Sequence, residues 1–222
     1  DEMVEDIVED FQPRLFEASR LVGADGSRRL HAVPLCGWVQ VLALNRAAWD
    51  AQGLGHLLPT REDPRWESWD QFEAALAAVS NSEVTPLGMQ CVSEQGDYRV
   101  LQYFWAFGAE VYHDRDYSRV ALNSAEGVAA LEWLVGAKRK GWIQSNVATA
   151  GYGFYDMFWR GRTVAIPSGV AIRQAYENAL RDGKVTADFN GDGQLDMEIF
   201  YTLPPTRHGV EMTLPVSTNG LV

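Results

Sequence analysis

Cysteine is scarce here: Cys36 and Cys91 are the whole supply, they lack CxxC spacing, and so neither a disulfide framework nor a thiolate metal site can be assembled. Both are expected as small buried apolar side chains, with a single bond between them left open. Basic residues are also few, 19 Lys and Arg against 30 Asp and Glu, giving a formal net charge of -11. That balance repels phosphate backbones and anionic lipid surfaces, which argues against nucleic acid and membrane partners. His31, His56, His113 and His208 are scattered without ligand spacing. Neither a basic n-region with an apolar h-region nor a run long enough to span a membrane occurs. Because the chain opens on Asp1 and Thr213–Val222 reads as a strand-like stretch that stops uncovered, the expectation is a fragment. Internal repeats and low-complexity segments are absent.

What is present is an ordinary globular composition, 46% hydrophobic and 22% charged over 222 residues, enough for one large domain or two lobes. Met3, Ile7 and Phe11 recur at helical spacing within residues 2–21 until Pro13 interrupts, and Asp25-Gly26 marks a turn. Val39–Asn45 is β-rich and reads as a strand, followed by a short helix, Arg46–Gln52, stopped by Gly53. Ser68 and Gln71 form a capping box for a helix with Phe72, Ala75, Leu76 and Val79 on one face. A helix is predicted over Asp97–Phe107, then a turn-rich stretch, His113–Ser118. Another starts at Asn123, buries Val128, Leu131 and Val135, and ends in Lys138, Arg139, Lys140 and Gly141, as the helix dipole favours. Tyr152–Trp159 suits a helix closed by Gly161, followed by a strand Thr163–Pro167, a Ser168-Gly169 turn and a helix Val170–Arg181. Alternating helices and strands imply an α/β lobe with a partly parallel sheet.

Four landmarks, in order, carry a resemblance. Ala32-Val33-Pro34 with a strand ending in Leu44-Asn45-Arg46 is the first, and Trp66-Glu67-Ser68-Trp69-Asp70-Gln71-Phe72 is the second. The third is Phe107-Gly108-Ala109 with Leu122-Asn123-Ser124-Ala125-Glu126-Gly127, and the fourth is Phe158-Trp159-Arg160-Gly161 running into Arg162–Ile166. Together they resemble the extracellular solute-binding protein family 1, the group of maltose-binding and glycerol-phosphate-binding receptors. The resemblance spans nearly the whole chain but only the middle half of the family pattern.

It implies a periplasmic-binding-protein-like two-lobe fold of type II, mostly its C-terminal lobe. Residues 1–37 would belong to a partial N-terminal lobe, 38–205 to the C-terminal lobe, and 206–222 would return toward the first, with Val39–Leu44 and Tyr201–Pro205 as crossing strands. The implied function is an extracytoplasmic receptor, periplasmic or lipid-anchored at the cell surface. It would capture a sugar or sugar-like solute for the permease subunits of an ABC importer, and it would not be an enzyme. A secreted glycoside hydrolase, using carboxylates such as Glu94, Asp97 and Glu110, and a calcium-stabilised adhesion module are the alternatives.

Sugar recognition needs aromatic faces for C–H surfaces and hydrogen-bonding groups for hydroxyls. Trp38 and Tyr98 occupy positions that resemble ligand-facing ones in the family. Ser168, Gly169 and Arg173 are candidates because a strand-to-helix turn offers backbone N–H groups at the carboxyl edge of a sheet. Ala171 stands where the family often places a stacking Trp. Trp69, Trp133 and Trp142 sit in or beside helical patterns and are assigned to the core. Finally, Asp188, Asn190, Asp192, Gln194 and Asp196, with Gly193 for the tight turn, place oxygens at alternate positions as one-loop Ca²⁺ sites require. Ile199 stands where an EF-hand has Glu, so the pattern is nearer to the DxNxDGxxD loop of FG-GAP repeats, and structural Ca²⁺ is expected.

Overall fold

The computed structural model describes residues 16, 20–22, 25–30, 33–92, 96–113, 116–149, 151–169, 171–207, 209–210 and 216–221. The helical pattern of Met3, Ile7 and Phe11, together with Glu94, His31 and His208, lies outside them. Contacts divide the chain into two units, Asp1–Val39 with Pro215–Val222 and Gln40–Leu214.

In the first unit, β1 (Arg20–Val22) and β2 (Arg28–Leu30) form an antiparallel hairpin. The helical expectation for 2–21 therefore stops short of Arg20. The Asp25-Gly26 turn forms as expected, with Asp25 Oδ1 accepting from the Ser27 N–H at 3.0 Å. The first half of β3 (Val33–Asn45) pairs antiparallel with β9 (Val216–Leu221).

β3 is thirteen residues long, roughly twice the expected Val39–Asn45, and its second half is a central strand of the other unit. There the sheet order is β4 (Thr85–Leu87), β7 (Thr163–Gly169), β3, β8 (Ile199–Thr202). The β4–β7 pair is parallel, and β3 is antiparallel to both β7 and β8. The sheet is thus partly parallel, as the alternation of elements implies. The crossing strand expected at Tyr201–Pro205 is instead β8, which ends at Thr202 before Pro204 and Pro205, residues that cannot donate to a ladder. β5 (Tyr112–His113) and β6 (Asp116–Val120) make a separate small hairpin.

Both faces of this sheet are covered, so β3 sends its alternate side chains into two cores. Leu42 and Leu44 join α1 (Arg46–Asp50), α2 (Trp69–Val79), α3 (Gly96–Ala106) and α4 (Ala125–Arg139) on one side. Ala43 joins α5 (Gly153–Trp159) and α6 (Ile172–Arg181) on the other. The first half of the capping box holds, with Ser68 Oγ accepting from the Gln71 N–H at 3.0 Å, while Gln71 Oε1 accepts from the N–H of Glu67, one residue before the cap, at 2.8 Å. Phe72, Ala75, Leu76 and Val79 are all buried. Trp69 and Trp133 meet edge to face at 4.9 Å, and both direct their indole N–H to Glu73.

α4 corrects two expectations. Its cap is Ser124, whose Oγ accepts from the Gly127 N–H at 3.1 Å, rather than Asn123. Its buried face is Gly127, Ala130, Leu134 and Ala137, whereas Val128, Leu131 and Val135 are 47%, 54% and 40% exposed. The sequence carries two apolar stripes on this helix. The one with small residues faces inward because the crowded rings of Trp69, Tyr103 and Phe107 leave room only for close approach. The thiol of Cys91 is exposed rather than buried, and partial desolvation still pushes its pKa up.

Gly161 closes α5 with φ +69°, a left-handed conformation, and a Cβ there would lie 2.7 Å from the Phe189 ring. This glycine therefore satisfies both the chain reversal into β7 and the packing beneath it.

Candidate functional site

A buried polar cluster of the second unit lies at the carboxyl end of β7. The Gly88 N–H donates to the Ala165 carbonyl at 2.8 Å, and β4 ends there, opposite Ala165. Pro167 is one pleat further on, on a side of β7 that no strand covers among the described residues, so its missing N–H disrupts no ladder. Its carbonyl accepts from Arg99 Nη1 at 2.5 Å instead. Arg99 is 5% exposed, and its guanidinium lies 4.9 Å from the Phe154 ring centroid and 5.6 Å from that of Tyr155. The Tyr155 hydroxyl in turn is 2.9 Å from Ser168 Oγ. α3, α5 and β7 are tied together at this one edge.

A buried amide lies on the neighbouring strand, β3. Gln40 pairs across the ladder with Gly169 and is fully buried, yet neither end of its side chain has a hydrogen-bond partner among the described residues. A buried amide left so costs about 1–3 kcal/mol, a cost that a hydroxyl-bearing ligand or water would offset.

The expected site residues are distributed unevenly. Tyr98 is half-buried on α3, and burial pushes its phenol above the usual range while the Arg99 charge partly offsets this. Ser168 and Gly169 are strand residues rather than a turn, because β3 supplies partners for both, Val41 and Gln40. The helix that follows starts at Ile172, with Ala171 at its cap and no side-chain cap bond. Arg173 is directed elsewhere: its side chain is 83% exposed, lies 3.6 Å from Glu177, and borders a hollow with Arg61, Tyr176, Phe200 and Tyr201. The Trp38 backbone pairs with Ser217 in the first unit, and its side chain lies outside what is described.

Arg99, Gln40 and Tyr155 were not singled out from the sequence. A signal for Tyr155 existed, since Tyr152, Tyr155 and Trp159 recur at i, i+3 and i+7 on one helix face.

The Asp188–Asp196 loop folds around its own N–H groups. Asp188 accepts from Gly191 at 2.7 Å and from Gly193 at 3.0 Å, and Gly193 takes φ +83° as the turn requires. Asn190 accepts from Asp192 at 2.9 Å, Asp192 from Gln194 at 2.8 Å, and Asp196 from Phe189 at 2.8 Å. Among the described residues no group of three His, Cys, Asp or Glu side chains is arranged to hold a metal ion. Nor is any described helix long and apolar enough to cross a membrane.

No protein-family model matches the sequence, and no curated protein matches it. Solved structures do match. A solute-binding protein of an ABC transporter from Thermotoga lettingae, bound with alpha-D-tagatose, aligns over 97% of this chain and 51% of its own, at 18% identity and a TM-score of 0.67. A cyclic alpha-maltosyl-1,6-maltose binding protein from Arthrobacter globiformis aligns over 95% and 46%, at 18% identity and 0.66. UgpB from Mycobacterium tuberculosis, in complex with glycerophosphocholine, aligns over 96% and 47%, at 17% identity and 0.66. The chain thus shares the α/β fold of these two-lobe binding proteins and spans about half their length.

Proposed function

We propose that this chain carries the solute-contacting lobe of an extracytoplasmic receptor for an ABC importer, and that it captures a sugar or sugar-like solute at the carboxyl end of β7. The observation that supports this most is the buried Gln40 amide beside Gly169, with both ends unpartnered among the described residues. A carboxamide offers a donor and an acceptor in one plane, which suits vicinal sugar hydroxyls. Tyr155 brings an aromatic ring to the same edge, and Arg99 adds a buried guanidinium there. Proteins of the same fold bind alpha-D-tagatose and cyclic maltosyl-maltose. Capture of this kind is non-covalent, and the permease subunits, rather than chemistry on the solute, would be the next step in its fate.

The test is calorimetric titration of the 222-residue protein with a panel of neutral mono- and oligosaccharides. Saturable binding that Gln40→Leu weakens about tenfold or more supports the reading. Absence of binding to any saccharide, or binding that Gln40→Leu leaves unchanged, overturns it.

A further inference from the structure

Between α3 and α4 lies an apolar hollow of about 390 Å³ to which no residue of the β7 cluster contributes. α4 supplies one wall through Leu131, Val135 and Lys138, which fall at i, i+4 and i+7 and so share one face of the helix. Val100 on α3 belongs to the facing wall. Ile143 and Val147 close the space between them, in a segment bonded to the end of β4 and the residues after it. The Leu87 N–H donates to the Trp142 carbonyl at 2.8 Å, and the Cys91 N–H donates to the Val147 carbonyl at 3.1 Å. Leu131 and Val135 are left exposed at this place, so the hollow is open to a ligand.

The side chains lining it offer two polar groups, the Cys91 thiol and the Lys138 ammonium. Neither the hydroxyls of a saccharide nor the face of a flat aromatic molecule would find its usual partners, since no ring, amide or carboxylate lines the hollow. Walls on three sides suit the end of a flexible chain rather than a helix laid along a groove. An anionic bilayer is opposed by the net charge of -11. Lys138 is exposed and has no ion-pair partner among the described residues. An unpaired ammonium at the end of an apolar stripe complements an aliphatic chain that ends in a carboxylate, with methylenes along Val100, Leu131, Val135 and Ile143 and the carboxylate on Lys138.

We propose that the hollow between α3 and α4 binds a medium-chain aliphatic monocarboxylate, at a site separate from the one at β7. Calorimetry on the 222-residue protein compares hexanoate, octanoate and decanoate, then octanoate with 1-octanol and octyltrimethylammonium, with circular dichroism as the folding control. Lengthening the carboxylate by two methylenes is expected to tighten binding about threefold to tenfold. Lys138→Met, which keeps an apolar stem, should weaken octanoate about threefold to fivefold and leave 1-octanol within about twofold. Octyltrimethylammonium, favoured by the acidic chain as a whole, should nonetheless bind more weakly than octanoate. Saturating octanoate should slow alkylation of Cys91 by N-ethylmaleimide several-fold, read by peptide mass spectrometry.

Absence of saturable binding, affinity indifferent to chain length, a preference for octyltrimethylammonium, octanoate held equally by Lys138→Met, or unchanged alkylation of Cys91 would each overturn the proposal. Leu131→Asp, at an exposed position, separates the other occupants. A dimer in sedimentation that this variant dissociates would make the stripe an interface between copies of the chain. Cosedimentation with phosphatidylglycerol vesicles that it abolishes would make the stripe a membrane contact, and either result overturns the carboxylate site.

Discussion

Tyr155 and Ser168 are joined hydroxyl to hydroxyl at 2.9 Å, and Ser168 is only 1% exposed, so a helix that packs under the sheet is fastened to the strand end where the candidate site lies. Tyr155→Phe retains the ring beside Arg99 and leaves the Ser168 hydroxyl without this partner. The expected cost is about 1–2 kcal/mol of folding stability, measured by urea unfolding, with a further loss of saccharide affinity. A variant as stable as the parent would mean that the two hydroxyls are not bonded in solution.

The inward face of α4 gives a second contrast. Leu134 is 9% exposed within the main core, whereas Leu131, three residues earlier, is 54% exposed. Leu134→Ala should destabilise by about 2–5 kcal/mol through lost burial and a residual cavity. Leu131→Ala should stay within about 0.5 kcal/mol. Equal costs in denaturant titrations would restore the face read from the sequence.

That inversion shows what was legible and what was not. Period, caps and breakers identified α2, α5, β7 and the partly parallel sheet, because Ser68, Gly161 and the apolar spacing act locally. The α4 face was misread because local periodicity ranks Val128, Leu131 and Val135 above alanines, while packing against Trp69 and Tyr103 rewards small residues. The length of β3 was missed for a related reason: its first half is held by pairing with β9, far away in sequence. Of the site, Tyr98, Ser168 and Gly169 lie on the elements that meet at the β7 end, but Arg173 points to another hollow. Arg99 and Gln40 could not be found from pattern alone, because their role depends on a strand that stops short, leaving the Pro167 carbonyl uncovered, and on burial across a sheet.

The calcium expectation concerns Asp188, Asn190, Asp192, Gln194 and Asp196. Three carboxylates lie within this loop, and Asp188, Asn190, Asp192 and Asp196 each already accept a loop N–H, so a cation would share those oxygens. Binding to the folded state alone stabilises by mass action. Added Ca²⁺ is therefore expected to raise the melting temperature by several degrees, EGTA to reverse the rise, and Asp192→Ala to abolish it. A melting temperature indifferent to both reagents would leave the loop as a turn held by its own hydrogen bonds.

The central claim is that solute is taken at the carboxyl end of β7, and amide chemical-shift mapping of the isotope-labelled 222-residue protein addresses it most directly. As a binding saccharide is titrated to millimolar concentration, the backbone amides of Ser168 and Gly169 and the side-chain amide of Gln40 should move together and saturate at one dissociation constant. Saturating shifts confined to other parts of the chain, with these three signals unmoved, would contradict the account.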